Sequence, residues 1–393
     1  MRTFSAPQLS FRCRLLIFLA LGAAAAGATF APRYLGTREA APEPQALSAS
    51  EFSRLIRTFS EEDGYFRSDN FTSNETSYLQ VVDLLRRSGV SGGAYIGVGP
   101  EQNFTYIAKI RPQIAFIVDI RRQAMLQHLL YKAVFQQAET RAQFLSILLC
   151  RPLPAGDVLL KSAPISELLD YFRRSPPGTN EVFAHNLARA RRIIQEDFKF
   201  PLTDSDPARL EYVYSAFRSL GLDVSFRFGG RNGHGYGWFP SLADLILQQD
   251  PQGQLGNFLA SDEDYQFVRR MQRLNRIIPV VGDFAGTKAL SSVGRYLAGH
   301  HYTVSAFYTS NVEQFLFQNG VYQEFLSNVR TLPVNDKSVF IRAVARMGQM
   351  HPAHQAGHRT TTLLQRISVF LHDEEINPYR SYWDLVTTRY IGN

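Results

Sequence analysis

The sequence predicts an α/β fold, a doubly wound and mostly parallel sheet with a helical insertion. Three observations support it. Residues 94–98 and 114–118 are short apolar runs joined by a glycine turn and a helical stretch, and the second run ends on Asp119. Strand, glycine turn, helix, strand, acid, helix is the order in which such sheets begin. Apolar runs recur at 277–281, 303–308 and 338–344 with helical segments between them. Finally, 45% of the 393 residues are apolar and 20% are charged, which are the values of a chain that buries a core. Length alone allows two to three domains at about 150 residues each; the run of elements supports one.

Composition excludes several classes. Only Cys13 and Cys150 occur, too few for a disulfide framework or a cysteine zinc cluster. A mean hydropathy of −0.17 excludes a polytopic membrane protein. The net charge is +7, and its basic side is 36 Arg against 6 Lys, a skew that fits codon bias as well as it fits binding.

Arg2, Arg12 and Arg14 precede an apolar run over 15–28. The run is shorter than the roughly 20 residues of a spanning helix. With Ala26-Gly27-Ala28 it reads as a secretory signal cut after Ala28 or, extended to Ala31, as an uncleaved anchor. Residues 1–31 are therefore expected to be a signal peptide or membrane anchor, which places the protein in the periplasm or on the membrane. A cytoplasmic location is the minority reading. Residues 32–50 are rich in Ala, Pro and small polar residues and read as a flexible linker.

The folded part is expected over 51–393. Phe52, Leu55, Ile56 and Phe59 have helical spacing. Thr72 and Glu75 have capping-box spacing, which predicts a helix over 73–87. Residues 102–110 and 121–149 read as the first two helices of the sheet. The stretch 151–215 is helical, punctuated by Pro154, Pro176, Pro177 and Pro201, and reads as an insertion over the sheet. A strand is predicted at 222–228, then a glycine-rich lid at 229–237, helices at 241–249 and 261–275, and a last short strand at 367–371. No period of 20–50 residues repeats, which excludes a solenoid.

Gly97-x-Gly99 follows a strand and opens a helix. Two glycines let the backbone turn tightly and approach a ligand, and the helix start offers free N–H groups. Asp119, twenty residues on, can accept hydrogen bonds from ribose hydroxyls. A dinucleotide fingerprint needs glycine where Gln102 stands. A ligand with ribose and no phosphate fits better, and S-adenosylmethionine is one. A tight turn without a ligand is the alternative.

Tyr95-Ile96-Gly97-Val98-Gly99-Pro100-Glu101-Gln102-Asn103 and Ile117-Val118-Asp119-Ile120-Arg121-Arg122 resemble the first two strands of class I methyltransferases. Val280-Val281-Gly282-Asp283-Phe284 and Val304 to Asn311 resemble the fourth and fifth. Residues 65–390 also resemble an uncharacterised bacterial family with that core. The resemblance implies a seven-stranded Rossmann-like sheet and S-adenosylmethionine as cofactor, with Gly97, Gly99, Glu101 and Asn103 beside it and Asp119 on its ribose. The chain departs from the pattern at two points: Tyr95 and Ile96 stand where an acid precedes the first glycine, and Glu101 stands in place of the third glycine. The Asn/Asp-Pro-Pro-aromatic signature of amino-methylating enzymes is also missing.

Asp69, Asn70, Asn74 and Glu75 form a polar cluster before the glycine strand, suited to a substrate at the strands' carboxyl ends or to capping. Asp283 is expected at the carboxyl end of a central strand, where it can act as a base. Asn311 is expected to cap a helix. His351, His354 and His358 would share a helical face, but Pro352 and Gly357 interrupt it, so no metal is expected. Arg269, Arg270, Arg273 and Arg276 form the charged face of an amphipathic helix without a nucleic-acid motif. No Gly-x-Ser-x-Gly elbow supports a hydrolase. Two functions follow. One is an S-adenosylmethionine-binding, methyltransferase-like protein acting on a small molecule. The other is a non-catalytic exported or membrane-tethered protein that keeps only the fold.

Overall fold

Continuous apolar runs bury a strand on both faces, and Ile114-Ala-Phe-Ile-Val and Ile277-Ile-Pro-Val-Val are such runs. The computed structural model describes residues 45–154, 162–228, 239–345 and 349–392. Strands β1 (Ala94–Gly97), β2 (Ile114–Asp119), β3 (Ile277–Val281), β4 (Val304–Ser310), β5 (Val339–Ala345) and β6 (Thr360–Arg366) form one six-stranded sheet. Its spatial order is β3-β2-β1-β4-β5-β6. The first five are parallel, with Ile96 opposite Phe116, Ile117 opposite Pro279, Tyr95 opposite Ala306 and Phe307 opposite Phe340. β6 runs antiparallel to β5, with Leu364 opposite Ile341.

The chain steps outward from β1 to β3 and then returns to the other side of β1. The switch point between β1 and β4 opens a crevice at the strands' carboxyl ends. Helices flank the sheet, so the fold is α/β with a mostly parallel sheet, compatible with a Rossmann-like fold. The helix Ala49–Phe59 packs on β3 and stacks Phe59 on Phe116 of β2, ring centroids 6.0 Å apart. Its N-cap is Ser48, and a backbone bond from the Leu47 N–H to the Leu274 carbonyl holds the chain to the body before residue 50, where the linker was expected to end.

Between β2 and β3 lie the helices Arg122–Gln137 and Arg141–Leu149, then Ile165–Arg174, Asn180–Arg192 and Asp206–Leu220. The last of these packs on the first two, and its buried Asp206 takes a bidentate pair from Arg122 at 2.7 and 2.6 Å. The expected insertion is thus helical and continues to Leu220.

Several expectations need correction. The single helix over 121–149 breaks at 138–140, where Thr140 caps the second helix through the Gln143 N–H at 3.2 Å. The helix over 73–87 shrinks to Val82–Arg87. Glu75 does not close a capping box, because it is buried and bonded to Gln102 and Ser310 from other elements. The strand at 222–228 reduces to Arg227–Phe228, paired antiparallel with Ser68–Asp69 outside the main sheet. That makes Ile277–Val281 the third strand and an edge strand, so Asp283 does not follow a central strand. Pro279, which lacks an N–H, fits an edge. Residues 367–371 begin the helix Ile367–Ile376, and the strand is the threonine-rich stretch just before it. Among the described residues the main sheet has six strands where seven were implied. Among the described residues no helix is long and apolar enough to cross a membrane. The expected signal or anchor, most of the expected linker and the glycine-rich lid at 229–237 lie outside the described residues.

Candidate functional site

The carboxyl ends of β1, β2, β3 and β4 wall a cavity, closed from the other side by residues 65–75 and the helix Val312–Gln318. It holds about 990 Å³ of atom-free space, part of it solvent at its mouth. Asn70, Asn74, Glu75, Gly99, Asp119 and Asp283, drawn from four separate stretches of chain, all line it.

Asp119 ends β2. Its Oδ1 accepts the Arg121 backbone N–H at 3.0 Å and Nε–H at 3.1 Å, and its Oδ2 accepts Nη2–H at 3.0 Å. Arg121 also donates to the Ser68 carbonyl at 2.7 Å. Burial pushes the Asp119 carboxyl up, but the charge and hydrogen bonds of Arg121 outweigh it and hold the group below its ordinary range. Two acceptors on Oδ1 are filled and one on Oδ2, so Oδ2 keeps room for one ligand hydroxyl.

Glu75 is buried, with Ser310 Oγ donating to Oε1 and Gln102 Nε2 donating to Oε2 at 3.0 Å. Burial raises its pKa, and the bonds from Ser310, Gln102 and Tyr308 pull it back in part. Asp283 is half-buried. Its Oδ1 accepts the Ala285 N–H at 2.9 Å, while its own N–H donates to Glu61 at 2.9 Å. Asn70 accepts from Ser68 Oγ at 2.6 Å. Asn311 also faces the cavity and makes no side-chain cap bond to its helix.

The glycine turn divides its labour. Gly99 has φ +78°, which only glycine adopts freely, and no atom lies within 4 Å of where a Cβ would stand. It presents open backbone to the cavity. Gly97 ends β1 away from the cavity, and a Cβ there would overlap the Asn103 amide oxygen and come within 2.8 Å of the Tyr95 ring. Asn103 is buried and pins the turn, donating to the Val98, Gly99 and Pro100 carbonyls at 2.9, 3.1 and 2.8 Å and accepting from Tyr95 at 2.9 Å. Buried His128 holds the same loop, 2.8 Å from the Gly99 carbonyl; burial lowers its pKa to about 4. A neutral ring with its proton on Nε2 is therefore the donor. Gly97→Ala is expected to displace Asn103 and lower stability by about 1–3 kcal/mol, read by urea denaturation.

Two other expected site residues face elsewhere. Glu101 is buried on the far side of the turn, where its Oε1 accepts the Ser73 N–H at 3.3 Å. Asp69 is bound to Gln123 at 3.1 Å and Tyr212 at 2.7 Å and does not line the cavity. Arg121, Gln102, Tyr308 and Ser310 belong to the site and were not singled out. Of these only Arg121 carried a local signal, its place two residues after the strand-ending acid. The three histidines go to separate partners, His351 to the Val386 carbonyl, His354 to Thr361 and His358 to Thr76. Among the described residues no group of His, Cys, Asp and Glu could hold a metal ion.

No curated protein matches the chain. A family model described as a domain of unknown function (DUF7790) matches residues 70–150 and 181–385. The matched stretches contain the glycine turn, the strand-ending acid and all six sheet strands, and the chain belongs to this DUF7790 family.

Proposed function

We propose that the cavity binds S-adenosylmethionine and that the protein is methyltransferase-like, acting on a small molecule. The observation that carries this reading is the charge of the walls beside an open glycine turn. The Asp119 and Asp283 carboxylates and the buried Glu75 carboxyl face the cavity, and Arg121, the cation among them, is already bound to Asp119. Phosphates would be repelled there, whereas a cationic sulfonium with a ribose suits both the charge and the acceptor left on Asp119. The cofactor supplies an activated methyl group, so the protein's task is chiefly positioning. In this reading the Gly99 turn admits the cofactor, Asp119 takes a ribose hydroxyl, and Asn70, Asn74 and Glu75 orient the acceptor. Asp283 takes the proton that the acceptor loses.

A second reading is favoured by one specific observation. Three N–H groups of Arg121 already occupy Asp119, so a two-hydroxyl clasp on a ribose would require Arg121 to move. A non-catalytic protein keeping the fold, exported or tethered through residues 1–31, fits that arrangement. Calorimetry of the full-length protein decides between the two. Saturable binding of S-adenosylmethionine, weakened at least tenfold by Gly99→Val, is expected from the first. No heat at millimolar cofactor would sink it and leave the second. A reporter fused after residue 43 reads the compartment.

A further inference from the structure

We infer that an arginine face at the amino end of the sheet docks the protein on an anionic phospholipid surface. This goes beyond the cavity reading and does not depend on it. The helix Asp262–Arg273 carries Arg269, Arg270 and Arg273, and with Arg111 they line one open groove. Glu263 is the acid in that groove, and Arg111 is bound to it at 3.0 Å and to Asp264 at 2.8 Å. Arg269 donates to the Ala138 carbonyl at 2.7 Å. Arg111 and Arg270 both stack on Phe267, 4.5 and 5.5 Å from its centroid. Guanidinium groups suit phosphate oxygens, which they bind in bidentate fashion. The groove's excess positive charge suits an anionic partner.

The place where the chain enters identifies that partner. Arg276, just beyond the helix, donates to the Gln45 carbonyl at 2.8 Å, and Asn275 donates to the Leu47 carbonyl at 2.7 Å. The entry point therefore adjoins the arginine face. The apolar run 15–28, extended to Ala31, stands 14 residues before Gln45, a span of at most about 50 Å when fully extended. If that run sits in a bilayer, a tether of that span keeps the body within reach of it, and the described chain begins beside this face. Each arginine close to an anionic leaflet adds about fivefold to binding. The orientation also keeps the cavity open. Arg111 and Arg273 precede β2 and β3, while the cavity lies beyond those strands' carboxyl ends. Docking through the amino end thus turns the cavity toward water. A nucleic acid would also be attracted by the charge, but an apolar run so close along the chain favours the membrane.

The test uses the full-length protein with vesicles of phosphatidylcholine alone or with one-third phosphatidylglycerol. A fluorophore is placed at Gln266→Cys, with Cys13→Ser, since Cys150 is buried. Energy transfer to headgroup-labelled lipid is expected to rise with phosphatidylglycerol and to fall in high salt. Arg270→Glu/Arg273→Glu, both at exposed positions, is expected to weaken the phosphatidylglycerol-dependent signal by roughly 25-fold or more. Flotation separates the tether from the docking. Salt-sensitive binding to phosphatidylglycerol vesicles without flotation on neutral ones supports the docking and refutes only the tether. Equal transfer on both vesicles, or insensitivity of the wild-type signal to salt, overturns the inference without reliance on the variant. Displacement of the protein from phosphatidylglycerol by stoichiometric oligonucleotide overturns it in favour of nucleic acid.

Discussion

Arg342→Leu is expected to cost about 3–5 kcal/mol, the loss that follows when one partner of a buried ion pair is removed. Arg342 and Glu313 are both fully buried, with Arg342 Nε donating to Glu313 Oε1 at 2.8 Å. Arg342 Nη1 donates to Gln365 at 2.6 Å, and its guanidinium stacks on Phe340 and Phe370, 4.3 and 5.4 Å from their centroids. Leucine would leave the Glu313 carboxylate alone in a dry site and remove the packing of a large planar group. The double variant Arg342→Leu/Glu313→Leu is expected to recover most of the loss, because a well-packed apolar pair often matches a buried ion pair. A urea-denaturation double-mutant cycle reads the coupling. A cycle in which the two single losses simply add would refute it. The pair also bears on function. Glu313 lies on the helix Val312–Gln318, whose Val312, Phe315 and Leu316 wall the cavity. The single variant should therefore loosen the cavity wall before the sheet melts.

That pair also shows where sequence reading stops. Nothing local marks Arg342 or Glu313, since they are 29 residues apart and meet only because β5 lies beside the helix that follows β4. The same holds for His128, which reaches the Gly99 carbonyl from a helix after β2. What was legible was local. Apolar runs marked β1 to β5, with Gly99 just beyond the end of β1 and Asp119 at the end of β2. Gly99, Asp119 and Asp283 converge on one cavity because every parallel strand ends on the same side of the sheet, while Asn70, Asn74 and Glu75 reach it from the segment that covers those ends. The misreadings have equally local causes. The apolar run 222–228 suggests a strand, although its pairing is split between a lone bridge at Ser225 and the two residues Arg227 and Phe228. Pro279 places its strand at the edge, because in the sheet interior a neighbouring carbonyl would be left without its N–H. The capping-box spacing of Thr72 and Glu75 lost to tertiary contacts: Glu75 is buried, and Gln102 and Ser310 donate to its two oxygens. Asn103, which resembled a cofactor contact, instead satisfies three carbonyls of the turn, an outcome that spacing alone does not reveal.

Glu101→Gln is expected to stabilise the protein at pH 8 by an amount on the order of 3 kcal/mol and to change how stability depends on pH. Glu101 is buried, its Oε2 has no hydrogen-bond partner, and burial pushes its carboxyl up to about 7. An acid whose folded pKa lies above its unfolded value near 4.5 holds more protons folded than unfolded between those values. Its contribution to stability therefore falls as pH rises from about 4.5 to 7 and is flat above. His128 acts in the opposite sense. Its folded pKa of about 4 lies below the ordinary 6.5, so its contribution is lost as pH falls from 6.5 toward 4. In the wild type the two slopes oppose each other through the mildly acidic range. Glutamine mimics the protonated acid and keeps the carbonyl that accepts the Ser73 N–H, so the variant should show the His128 slope uncovered. Urea denaturation at pH 5, 6, 7 and 8 reads this directly. The gap between variant and wild type should widen up to about pH 7 and then stay constant. A gap independent of pH would mean that Glu101 is ionised throughout this range in the folded protein, held so by a cation or water that reaches its Oε2. Because Ser73 lines the cavity and hangs on Glu101 through its N–H, the same titration should alter ligand affinity at the site, with the larger change above pH 7, where the wild-type carboxylate is charged.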